Sequence, residues 1–386
     1  MNIHAPSQIT VASLATPIAI TRPKIIEFGS GTAPLAGRWA AAQGLSRILV
    51  VADAFNAARV DLLGLTDDVT IFGEVRPEPD IPNLEAVLAV AERVKPDLVI
   101  GFGGGSAMDL AKLVAVLPSS GQSLQDVVGP EKVAGKRSAL MQVPTTAGTG
   151  SEAGTRALVT DPKTQNKLAV QSLHMLADIA VIDPDLTLTL PPAVTAATGV
   201  DAMAHCVEAF TSLKAHPLID MYALEGVRLV GRFLGRAIAD GSDIEARAGL
   251  SLASLYGGYC LGPVNTAAGH AVAYPLGTRH HIAHGAANAL IFPHTLAFNA
   301  PAVPEKTTAI LAALGLKAST RQDEVFEGAH RYCAELGCEM KLSRLSVPRD
   351  DLPAMASEAH AIRRLLDNNP RDISRDEILA LYEAAY

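Results

Sequence analysis

Short apolar, β-branched runs alternate with helix-patterned segments over the first half of the chain. Ser46 to Ala52 (SRILVVA) reads as a buried strand, Val69 to Phe72 as a second, and Pro96 to Phe102 (PDLVIGF) as a third that runs into glycines. Leu140 to Val143 and Ala177 to Ile182 read as two more, and Leu84 to Val94 carries apolar residues at helical spacing. Strands separated by helices pair in parallel, because the crossover returns the chain in the same direction. The pattern predicts a doubly wound, Rossmann-like sheet. The opening stretch MNIHAPSQITVASLATPIAITRP is expected to form a partly extended lead-in strand.

The pattern changes at Asp183 to Pro192 (DPDLTLTLPP), whose prolines and threonines predict a linker. Beyond it the period is helical: Val194 to Ser212, Pro217 to Ala239, Ile244 to Leu261 and Pro304 to Leu314. The expectation is an α/β N-terminal domain with a parallel sheet over residues 1–190 and an all-α C-terminal domain over residues 191–386. Two domains also suit a length of 386 residues.

Composition narrows the function classes. Hydrophobic residues at 49% against 19% charged supply a large core and exclude disorder. A net charge of −8 without a long basic run argues against nucleic acid as a partner. No uninterrupted apolar window approaches the roughly 18 residues of a membrane span, so no membrane partner is expected. The N-terminal stretch lacks the basic start and continuous apolar run of a signal peptide. Four cysteines with no C-x-x-C pair do not make a disulfide scaffold, and a cytoplasmic location is expected.

Two turns carry candidate phosphate chemistry. Gly101 to Ser106 follows a strand and precedes a helix, where free N–H groups and the helix dipole attract anions. The pattern is neither G-x-G-x-x-G nor a Walker loop, and such turns also arise from tight packing. Pro144 to Glu152 (PTTAGTGSE) crowds hydroxyls and glycines after the next strand, and alone reads equally as a polar loop. Two such turns at successive strand ends would meet at the carboxyl edge of one sheet, where open α/β folds bind ligands. Asp53, at the end of another strand, would accept ribose hydroxyls and repel a 2′-phosphate, favouring NAD over NADP. It serves equally well as a helix cap.

Asp201 and His205 stand at i and i+4, on one helix face. His270 and His284 each lie beside a glycine, and one carboxylate with three imidazoles suits Fe²⁺ or Zn²⁺. His280 with His284 is a rival i, i+4 pair, and His281 and His294 are further histidines nearby. Spacing leaves these sets open.

Taken together, four stretches resemble the iron-containing (group III) alcohol dehydrogenase family in order and spacing. They are GGGSAMDLAK (Gly103 to Lys112), PTTAGTGSE, PPAVTAATGVDAMAHCVEAF (Pro191 to Phe210) and GHAVAYPLGTRHHIAHGAANALIFPHTLAFN (Gly269 to Asn299). The likeness runs from about Lys24 to the C-terminus. It implies Asp201, His205, His270 and His284 as metal ligands and moves His280, His281 and His294 to their surroundings or the core. It implies NAD binding by Asp53, Gly104, Gly105, Ser106, Asp109, Thr145, Thr146, Thr149 and Ser151, with Lys167 directed toward the nucleotide. The implied protein is a metal-dependent, NAD-linked alcohol dehydrogenase or aldehyde reductase, a homodimer or larger, acting on a small alcohol, diol or carbonyl compound by hydride transfer. Its implied ion is Fe²⁺, with Zn²⁺ or another divalent ion as substitute.

This chain departs from the family at two positions. Tyr274 stands where the family usually has a histidine, four residues after the third ligand, and Glu78 where relatives commonly have asparagine. A tyrosine, with its ordinary pKa of about 10, is a poor proton relay near neutrality. Tyr274 and His280 both fall between two implied ligands and are expected to line the substrate path. The alternatives are a dehydroquinate synthase-like or glycerol dehydrogenase-like enzyme of the wider superfamily, and a nucleotide-binding protein without catalysis.

Overall fold

The computed structural model describes residues 14–66, 68–164 and 166–386. Its strands are β1 Ile25–Phe28, β2 Arg47–Ala52, β3 Asp68–Phe72, β4 Leu98–Gly103, β5 Gly129–Pro130, β6 Ala139–Pro144, β7 Arg156–Asp161, β8 Asn166–Gln171 and β9 Ile179–Ile182. The expected lead-in strand falls partly outside the described residues, and residues 14–23 hold no strand. The helices of the first half are α1 Leu35–Ala42, α2 Ala54–Ala57, α3 Ile81–Val94, α4 Gly105–Val114 and α5 Leu124–Val127.

The main sheet has six parallel strands in the order β1-β9-β6-β4-β2-β3. Its central strands read as continuous apolar runs because both faces are covered. Leu49, Val51 and Val99 pack under Leu84 and Val87 of α3 and Leu110 of α4. Their neighbours Ile48, Val50 and Ile100 face the other way, toward Ala36 and Ala40 of α1.

A second sheet, order β5-β8-β7, was not expected from the pattern. β7 and β8 form an antiparallel pair with only scattered buried positions, so their sequences carry no long apolar run. The expected linker is packed rather than free. Pro184, Leu186 and Thr187 are buried in a short 3₁₀ turn, and the Asp183 carboxylate accepts from the Gly31 and Ala33 amides at 3.0 and 2.8 Å.

After β9 the described residues contain no further strand. The helices are α6 Pro192–Thr211, α7 Pro217–Ala239, α8 Ile244–Leu261, α9 Ala268–His280, α10 His284–Asn299, α11 Pro304–Ala313, α12 Gln322–Glu335, α13 Leu352–Ala361, α14 Arg363–Leu366 and α15 Arg375–Ala384. None of the helices among the described residues is long and apolar enough to cross a membrane. The two halves meet where the hydroxyl-rich loop after β6 crosses α8. A Cβ on Gly150 would lie 2.5 Å from the Gly258 nitrogen, so only glycine allows the two backbones this close.

Candidate metal and cofactor cleft

Asp201 and His205 lie one turn apart on the buried face of α6. His270 sits in the first turn of α9, and His284 begins α10. Between those helices His281 takes a left-handed conformation (φ 54°) that ends α9 and reverses the chain. The reversal brings His284 back beside His270. Asp201 Oδ1 lies 3.5 Å from Nε2 of both His270 and His284 and 3.8 Å from Nε2 of His205. All four donor atoms fall within 4.8 Å of one another.

The donor set fits a divalent cation. Burial pushes the His205 imidazole down to about 4, so it is neutral and free to donate a lone pair at neutral pH. Burial penalises the Asp201 carboxylate, yet the three imidazoles hold its pKa well below the usual range. The Asn288 amide nitrogen reaches Asp201 Oδ1 at 2.6 Å and Nε2 of His270 and His284 at 3.2 Å each. The two hydrogens of one amide cannot serve all three atoms at once, and a divalent ion bound by one carboxylate and three imidazoles would satisfy them together.

Behind the cluster lies a residue that the sequence reading missed. Nδ1 of His270 meets Glu208 Oε1 at 2.5 Å, and Glu208 Oε2 accepts from the Ala267 amide at 2.5 Å. Burial would lower the His270 pKa, but Glu208 and Asp201 together raise it to about 10. Glu208 follows His205 by three residues on the same buried helix. An acid at that spacing in an otherwise apolar run was the available signal. His280, expected in the substrate path, lies outside the cleft lining, with Nε2 3.4 Å from Asp351 Oδ2 at the far end of α9.

The two candidate phosphate turns meet at the carboxyl edge of the main sheet. Gly104 caps α4, and a Cβ on Gly105 would lie 2.7 Å from Thr149 Cγ2, so the glycine is what lets the turns interlock. Thr145 donates its amide to Gly103 O at 3.0 Å, and Thr146 Oγ1 would lie 3.3 Å from a Cβ on Gly104. Gly105, Ser106, Asp109, Thr149, Ser151 and Lys167 line one cleft together with the metal cluster. Asp109 and Ser151 are tied down there: Ser151 Oγ donates to Asp109 Oδ1 at 2.6 Å, and Lys112 Nζ donates to Ser151 Oγ at 2.7 Å. Lys167 pairs with Glu78. Asp53 caps α2 through the amides of Phe55 and Asn56, at 2.9 and 3.0 Å, and takes the Asn56 side-chain amide at 2.7 Å. It also stands beside the glycine turn, its Oδ2 lying 3.3 Å from where a Gly103 Cβ would be.

Residues 23–184 match the family described as iron-containing alcohol dehydrogenase, and residues 195–386 match the C-terminal part of the Fe-containing alcohol dehydrogenase family. The chain belongs to the iron-containing alcohol dehydrogenase family.

Curated relatives agree along nearly the whole length. Long-chain-alcohol dehydrogenase 1 of Geobacillus thermodenitrificans is 36% identical over 362 residues, covering 89% of this chain and 90% of the relative. Sulfoacetaldehyde reductase of Bilophila wadsworthia is 36% identical, covering 82% and 84%. Among solved structures, a 1,3-propanediol oxidoreductase superposes with a TM-score of 0.91 at 30% identity, covering 96% of this chain and all of the other. The sulfoacetaldehyde reductase of Bifidobacterium kashiwanohense, solved with NAD⁺, superposes at 0.86 with 28% identity, covering 96% and 99%. This iron-type alcohol dehydrogenase is therefore an oxidoreductase of CH–OH groups that works by hydride transfer with NAD and a divalent metal.

The structure fills in the surroundings of Tyr274 in this dehydrogenase. The ring lies 5.8 Å from His284 and 6.4 Å from His270, centroid to centroid. Lys167 Nζ sits 5.5 Å and the Arg364 guanidinium 5.8 Å from its centroid. Burial raises the phenol's pKa, but Arg364, His270, Lys167 and Arg156 outweigh it and leave the group below its ordinary value.

Proposed function

We propose that this chain reduces small aldehydes or ketones, and oxidises the matching alcohols or diols, at the cleft between its α/β and helical halves. Asp201, His205, His270 and His284 would hold the metal. Asp53, Gly104, Gly105, Ser106, Asp109, Thr145, Thr146, Thr149, Ser151 and Lys167 would form the NAD site. On this reading residues 1–190 are the dinucleotide-binding domain and residues 191–386 the metal-binding domain, and the enzyme works in the cytoplasm as a homodimer or larger assembly. One observation carries the reading: four metal-type donors within 4.8 Å of one another open onto the same cleft as Gly105, Ser106 and Thr149.

When bound, the divalent ion supplies Lewis acidity toward the substrate oxygen, and NAD(H) supplies or accepts the hydride. The chain supplies orientation. Glu208 fixes the His270 tautomer by accepting from Nδ1, leaving Nε2 for the cluster. Asp109, Ser151 and Lys112 brace the floor of the cleft where α4 begins. Glu78 holds the Lys167 ammonium at the cleft wall. The Tyr274 hydroxyl would donate a hydrogen bond to substrate. Relatives named for 1,3-propanediol and sulfoacetaldehyde make short polar carbonyl compounds the first substrates to try.

The test is a panel of short aldehydes and alcohols assayed by NADH absorbance, on protein stripped with chelator and reloaded with Fe²⁺ or Zn²⁺. Turnover that requires the metal and prefers NAD to NADP is expected. Full turnover by stripped protein, with no metal retained, would refute the ligand assignment.

A further inference from the structure

Lys112, Arg156 and Lys167 line the cleft and Arg364 stands beside Tyr274, and two of these four cations are already neutralised. Lys167 is paired with Glu78, and Lys112 lies 3.6 Å from Asp109 Oδ1. Arg156, projecting from β7 into the same cleft as His270 and Tyr274, has neutral partners instead. Its Nη1 donates to Asn265 Oδ1 at 2.8 Å and its Nη2 to Gln171 Oε1 at 3.4 Å. Arg364 approaches the Tyr274 ring from α14, and no carboxylate pairs with it among the described residues. Its neighbour Arg363 shows the contrast, with Nη2 2.5 Å from Asp367 Oδ1.

Arg364 is exposed, but Arg156 is half-buried in the cleft, and a guanidinium desolvated there without an acid is costly unless an anion arrives to meet it. Arginine's planar fork matches a two-oxygen anion. Asn265 and Gln171 orient the Arg156 fork without using up its charge. Tyr274 lies beside His270 and His284 and against Arg364, with Arg156 in the same cleft, so a substrate whose reacting oxygen is at the metal cluster can bring a negative group to these arginines.

Building on the reading under Proposed function, we infer that the preferred substrate is a small aldehyde or ketone that carries a carboxylate or sulfonate, held by Arg156 and Arg364. The carbonyl carbon takes a hydride from NADH and its oxygen gains a proton from solvent, giving the hydroxy acid and NAD⁺. The arginines do no chemistry. They position the substrate and reject uncharged carbonyl compounds of the same length.

The test compares succinic semialdehyde with butanal, an uncharged aldehyde of equal chain length, on metal-loaded wild type, Arg156→Ala and Arg364→Ala. Wild type is expected to prefer succinic semialdehyde by roughly a hundredfold in kcat/KM. That ratio should fall about a hundredfold in Arg156→Ala and about tenfold in the more exposed Arg364→Ala. Calorimetric titration of succinate and, separately, of ethanesulfonate into the holoenzyme should show binding that Arg156→Ala abolishes, and the two titrations tell carboxylate from sulfonate preference. If Arg156→Ala fails to fold, Arg364→Ala carries the same comparison. Reduction of butanal and succinic semialdehyde at equal efficiency by wild type would overturn the inference and leave the proposed function standing. A loss in Arg156→Ala that falls equally on both aldehydes, with weaker NADH binding, would assign the guanidinium to the cofactor and also overturn it. Anion binding without turnover of any aldehyde would instead defeat the proposed function and leave the anion site intact.

Discussion

Nδ1 of His270 lies 2.5 Å from Glu208 Oε1, both groups buried behind the face that carries the metal donors. A histidine that donates one ring proton to a carboxylate is fixed in orientation and made a stronger donor at its other nitrogen. Removing such a partner typically weakens metal binding about 10–100-fold. Glu208→Gln keeps the size and an acceptor but deletes the charge. Metal affinity, measured by competition with a chelator, should fall by about that factor while the circular dichroism spectrum is unchanged. Unaltered affinity would make Glu208 a packing residue only.

Asp53 both caps α2 and flanks the glycine turn, so its two roles have to be separated. Asparagine caps helices as well as aspartate does, but it carries no charge to repel a 2′-phosphate. Asp53→Asn should leave the melting temperature within a degree or two while narrowing the NAD-to-NADP ratio of kcat/KM roughly tenfold. A retained ratio would reduce Asp53 to a cap.

Tyr274 is nearly buried beside His284, Lys167 and Arg364 and lines the cleft. Deleting one hydrogen bond from a ligand contact costs about 1 kcal/mol, or a factor of several in rate. Tyr274→Phe should lower kcat/KM about five- to tenfold at unchanged metal content, determined by atomic emission. Identical kinetics on every substrate would show that the ring, not the hydroxyl, is what the position requires.

The main sheet was legible because strands buried on both faces must be continuous apolar runs, as Ile48 to Ala52 and Leu98 to Phe102 are. β7 and β8 escaped notice because they run for only six residues each, with two buried positions in β7 and one in β8, and charged residues such as Arg156 and Lys167 sit within them. Asp183 to Pro192 read as a linker from its prolines, yet Asp183 binds amides about 150 positions earlier in the chain. The ligand set became readable through family resemblance, since spacing alone left the His280–His284 pair standing. The partners of the site were not readable at all. Glu208 meets His270 across 62 positions, and Arg364 reaches Tyr274 from the C-terminal helices. Contacts of that range leave no local period in a sequence.

Glu152 is the buried acid of the hydroxyl-rich loop, 2% exposed, with Oε2 lacking a hydrogen-bond partner. Burial raises its pKa from 4.5 to about 7, only partly opposed by a backbone hydrogen bond and Lys112. The folded state therefore holds this proton more tightly than the unfolded chain does. Its contribution to stability is fully present below about 4.5 and is lost as the pH rises through about 7, after which the deficit is constant. Glu152→Gln removes the titration and keeps the shape. Denaturant titrations of both metal-free proteins should give similar stabilities at the acid end of this window. At the alkaline end the variant should lead by on the order of 3 kcal/mol. The histidines of the metal cluster also contribute to the pH dependence of stability, but they do so in both proteins, so the difference isolates Glu152. A difference that stays flat with pH would mean that the carboxyl is already ionised in the folded protein, and Lys112 would then have to be its full counter-ion.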